Sequence, residues 1–133
     1  MSKSMITTVN TSAPTVIAGN IIPLGSTVRR FGCNCRQDGN TIANTGKGYY
    51  TVLVSATVTP SAAGTVTITA KNNGVDIIGA TGSSTVAAVS TTTNIAVVGT
   101  IRNYNDCETS SLSIVLTGAD AVINNMTVKV IKE

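Results

Sequence analysis

The sequence has no histidine and no tryptophan, one Phe and three Tyr. Charged residues fill 11% of its 133 positions, where soluble domains average about 25%. Without an imidazole the commonest general base and metal ligand is missing. The acidic residues do not replace it, because Asp38, Asp76, Asp106, Glu108 and Asp120 are scattered over turn-like segments. They lack the spacing of an EF-hand loop, and Gly46-Lys47-Gly48 lacks the pattern of a nucleotide phosphate loop. No enzyme activity, cofactor or metal is expected. No apolar run reaches the roughly 18 residues that a membrane-crossing helix needs. The polar start, from Ser2 to Thr8, does not read as a secretory leader, so synthesis in the cytoplasm is expected, and no membrane partner. The net charge of +3 is too small to argue for nucleic acid, and aromatic stacking partners are scarce. A hydrophobic fraction of 42% excludes disorder.

What is abundant is Val, Ile, Ala and Thr. The β-branched members of that set suit a pleated, half-buried surface, and they recur with a period of two. Residues 50–59 read as a long strand with Val52, Val54, Ala56 and Val58 on one face. Pro60 to Gly64 is a turn, residues 65–71 alternate around Val66, Ile68 and Ala70, and Asn72-Asn73-Gly74 is a hairpin signal. Val75 to Ile78 reads as a short return strand, 79–84 as a turn-like run of small residues, and 85–89 as a further strand. Residues 92–102, 112–116, 121–123 and 126–131 follow as strands, with a bend at Asn124-Asn125. Upstream, 15–18, 21–22 and 27–31 give shorter strands. No window shows a capped helical period. Short strands separated by Gly, Asn and Pro turns indicate an all-β sandwich or barrel. Residues 1–12 are expected to be a flexible arm and residues 13–133 the folded domain.

A core of Val, Ile and Ala is thin, since each buried Val or Ile contributes about 1.5–3 kcal/mol. A domain of this size buries only about two-thirds of its unfolded surface. With so few charges to cover the outside, the surplus of apolar residues points to an obligate homo-oligomer, whose interfaces resemble a core cut in half. A threonine-coated monomer is the competing reading.

The candidate sites are few. Cys33, Cys35 and Cys107 form a possible thiol cluster: unbridged thiols, one disulfide, or a metal site lacking its fourth ligand. Arg29, Arg30, Arg36 and Arg102 lie near those cysteines in sequence. They form a candidate contact for an acidic partner, since guanidinium groups suit bidentate carboxylate recognition. A solvated rim of loops is the alternative.

The segment Gly48-Tyr49-Tyr50-Thr51-Val52-Leu53-Val54 resembles the Gly-x-Tyr strand of C1q/TNF-like jelly rolls, most closely their short bacterial and phage forms. Residues 63–68, 73–81, 93–97 and 123–131 carry the likeness onward, from about Ile21 to the end of the chain. The resemblance implies a jelly-roll β-sandwich that assembles as a homotrimer and serves architecture or binding rather than catalysis. The chain departs from the family in lacking the aromatic core of animal C1q domains and any Gly-X-Y collagen repeat. These departures favour a capsid decoration or head-fibre protein of a phage virion, with the major capsid protein as partner. The alternative is a cell- or spore-surface head acting in adhesion or carbohydrate binding.

Overall fold

A computed structural model describes residues 4–88 and 91–132. Among the described residues there are eleven strands: β1 (Ser4–Asn10), β2 (Thr15–Val16), β3 (Ser26–Phe31), β4 (Cys35–Asp38), β5 (Thr41–Thr45), β6 (Gly48–Pro60), β7 (Gly64–Asn72), β8 (Val75–Val86), β9 (Thr93–Asn103), β10 (Thr109–Thr117) and β11 (Ala121–Lys132). One sheet runs β3-β1-β11-β6-β9, with β2 also paired to β11; the other runs β4-β5-β10-β7-β8. From β5 onward the chain changes sheet at every connection except the β7–β8 hairpin, and this alternation wraps the two sheets into a jelly roll. The inward positions follow the period of two. Val52, Val54, Ala56 and Val58 of β6 are buried against Ile42, Ile68, Ile114 and Leu116 of the facing sheet, in one continuous core.

Several expectations are corrected. The flexible arm is instead β1, an inner strand hydrogen-bonded to β3 on one side and β11 on the other. Its buried face is Ser4, Ile6, Thr8 and Asn10, so the alternation is present but mostly polar on the inside. Residues 1–3 of that arm lie outside the described residues. The turn-like run 79–84 lies within β8, because Gly79 carries a bulge (φ +80°, with a register shift against β7) and the small residues after it permit close packing on β9. The strand expected over 85–89 is absorbed into β8 as far as Val86, and Val89 lies outside the described residues. The bend at Asn124-Asn125 is a bulge within a single β11. β4 and β5 carry too few apolar residues to show in the sequence. The Asn73-Gly74 turn is as expected, with both residues at positive φ (53° and 82°).

Candidate functional site

The sandwich has two long edges, and each carries candidate residues. At one edge β3 and β4 lie side by side and are joined by side chains rather than by a ladder. Thr27 Oγ1 donates to Gln37 Oε1 at 2.6 Å, Gln37 Nε2 donates to the Gly25 carbonyl at 2.8 Å, and Arg30 Nε donates to the Cys35 carbonyl at 2.7 Å. Arg29, Arg30 and Arg36 are all exposed here. Arg30 and Arg36 line one cleft of about 280 Å³, together with Cys33, Asn34, Thr45 and Thr109. Among the described residues no acidic side chain belongs to that lining.

Arg102 is elsewhere, so the four arginines do not form one patch. It sits on β9, at the opposite edge of its sheet from β3. Its guanidinium lies over two exposed rings, 5.0 Å from the centre of Tyr49 and 4.5 Å from that of Tyr104. This geometry is a double cation–π stack. Tyr50, the next residue along, is fully buried. Its hydroxyl lies 2.9 Å and 2.8 Å from the Thr45 and Gly46 carbonyls, to which it donates. Burial, with the neighbouring Cys35, pushes the Tyr50 phenol up to about 12.

The cysteines do not cluster. A bend precedes β4, so Cys33 is exposed while Cys35, first in the strand, is fully buried; Cys107 is exposed, and all three are unbridged. Burial raises the Cys35 thiol to about 11, against the pull of Arg30 and Lys132. Among the described residues no group of three potential metal ligands converges. The turn carboxylates serve local structure. Glu108 Oε1 accepts from the backbone N–H groups of Tyr104 and Asn105, Asp120 Oδ1 from that of Ala18, and Asp76 pairs with Lys71 at 3.4 Å.

At the other edge β8 packs closely on β9. A Cβ on Gly82 would come within 2.6 Å of the Ala96 carbonyl oxygen, and one on Gly99 within 2.7 Å of the Ala80 Cβ. The surface beside this closure is apolar. Ile78 is 99% exposed, and Val75 and Val98 are exposed with it. A groove of about 470 Å³ runs past Val75, Ile78, Val98 and Arg102. It continues at Val98 into a smaller groove of about 290 Å³ on the outer face of β6, β9 and β11, lined by Leu53, Ala96, Thr127 and Lys129. Sequence reading missed this surface. Leu53, which interrupts the polar face of β6 and pairs with Val98 across the ladder, was its one signal.

No protein-family profile matches the sequence, and no curated protein does. Solved structures do. Murine APRIL superposes with a TM-score of 0.71 at 11% identity, over 99% of this chain and 100% of that one. The globular domain of a zebrafish complement C1qA protein gives 0.71 at 8%, over 98% and 96%. Vertex protein P5 of the phage PRD1 gives 0.61 at 15%, over 98% and 96%. The fold is therefore a TNF/C1q-like jelly roll, and it is one that a phage vertex protein also has.

Proposed function

We propose that the chain is a non-enzymatic structural protein of a phage virion, a homotrimer that decorates the capsid and contacts the major capsid protein. The observation that carries the assembly half of this reading is the continuous apolar surface from Leu53 through Val98 to Ile78. It joins a sheet face to a sheet edge, two different surfaces of one chain. Contacts of that heterologous kind close into rings when the rotation allows. An exposed apolar surface of this kind marks an interaction site, and it accounts for the excess of Val and Ile over what one core needs. The particle half is supported by the fold shared with a phage vertex protein. The edge bearing Arg29, Arg30 and Arg36 lies across the sandwich from that apolar surface and is suited to an acidic lattice. Mass spectrometry of purified virions tests the proposal: the chain should be a stoichiometric component, and its absence from particles contradicts the virion role.

A further inference from the structure

The β3/β4 edge holds more than exposed positive charge. Arg30 is anchored, its Nε spent on the Cys35 carbonyl, which orients the rest of the guanidinium without neutralising it. Arg36 stands on β4 beside its register partner Ala43, on the side of the sheet that also bears Thr45 and Thr109. The two residues come from different sheets and meet over one cleft. The ion pair found among the described residues, Lys71–Asp76, lies on β7 and β8, away from this edge. Asp38, farther along β4, is outside the lining. The other polar groups in the cleft are already engaged: Asn34 Nδ2 donates to the Thr45 carbonyl, and the Thr45 and Thr109 hydroxyls bond each other at 3.1 Å. Two fork-shaped donors thus face a space of about 280 Å³, just below the range of ligand clefts, roughly 300–1,000 Å³. That space suits acidic side chains and not an extended polymer or a drug-sized ligand.

We infer that this cleft is a carboxylate-binding site in which Arg30 and Arg36 jointly grip Glu or Asp side chains of an acidic peptide segment on the partner surface. The inference deepens the particle-contact reading and rests on it for the partner's source, not for the chemistry. The test is fluorescence anisotropy with a labelled, end-blocked hexaglutamate peptide, with hexaglutamine as control. Wild type should bind hexaglutamate and ignore hexaglutamine. Arg36→Gln and Arg30→Gln should each weaken binding about tenfold or more. Lys71→Gln, equal in charge change but remote, should stay within about twofold. Bound peptide should also slow alkylation of Cys33, which lies in the lining. Arg30→Gln loses a structural hydrogen bond, so its thermal midpoint is measured alongside; Arg36→Gln carries the decision. Equal losses for Lys71→Gln and Arg36→Gln would mean diffuse attraction and overturn the site. Displacement of the peptide by equimolar inorganic phosphate at constant ionic strength would make it a general oxyanion site and overturn the carboxylate assignment. Solution mass is read on the same samples. A trimer that ignores hexaglutamate loses the cleft and keeps the assembly; a monomer that binds it keeps the cleft and loses the assembly.

Discussion

At the β8/β9 edge the two sheets meet through residues with almost no side chain, Gly82, Gly99 and Ala80, so closely that an added methyl group would strike backbone or a neighbouring Cβ. At the β3/β4 edge they are held apart and bridged by Gln37, Thr27 and Arg30. The difference gives one thin sandwich two unlike surfaces. Close packing at one edge leaves Val75, Ile78 and Val98 exposed along an open groove of about 470 Å³, the surface proposed to meet another copy. Polar bridging at the other edge leaves a charged cleft. Three of the four arginines, Arg29, Arg30 and Arg36, lie on β3 and β4, while Arg102 stands at the β9 edge with the Lys71–Asp76 pair on β7 and β8.

The sharpest way to break this comparison is to add volume at the close edge. Gly82→Ala, whose Cβ would meet the Ala96 carbonyl oxygen, should cost about 1–3 kcal/mol in chemical denaturation. A neutral outcome would mean that the edge is not closely packed. Alkaline pH should then separate the edges. The folded protein holds the Cys35 proton more tightly than the unfolded chain does, so that contribution is complete below pH 9.0 and is lost as pH rises towards about 11. Tyr50 follows between 10.0 and about 12. Cys35 lies on β4 and the Tyr50 hydroxyl bonds the Thr45 and Gly46 carbonyls, so above pH 9 hydrogen-exchange protection, corrected for the intrinsic pH dependence, should fall at Cys35 and Asn44 before it does along β8. A uniform loss of protection would count against the contrast. The smallest effect is expected for Gln37→Ala, which removes hydrogen bonds at an open edge and should cost about 1 kcal/mol in the same denaturation assay. A loss as large as that of Gly82→Ala would reverse the comparison.

The parts of this molecule that sequence reveals are those in which inward residues are apolar. β6, β7, β9 and β10 were legible for that reason, as was the turn at Asn73-Gly74. β1 was not, because Ser4, Thr8 and Asn10 fill three of its four buried positions. β4 and β5 were hidden likewise, with Asn44 buried beside Cys35 across the ladder. The glycines of β8 imitate a turn, and only the nearness of β9 explains them. For the candidate site, the residue types were legible and their grouping was not. Arg30 and Arg36 converge and Arg102 departs because strand order, a long-range property, places β3 and β9 at opposite edges.

The central claim is that the apolar surface around Leu53, Val98 and Ile78 is buried between copies of this chain. Light scattering after size exclusion tests it most directly. The expected mass is that of three chains of 13.5 kDa, falling to one in Ile78→Asp, which would place an uncompensated charge in the interface. A wild-type protein that runs as a single monodisperse 13.5 kDa species would contradict it.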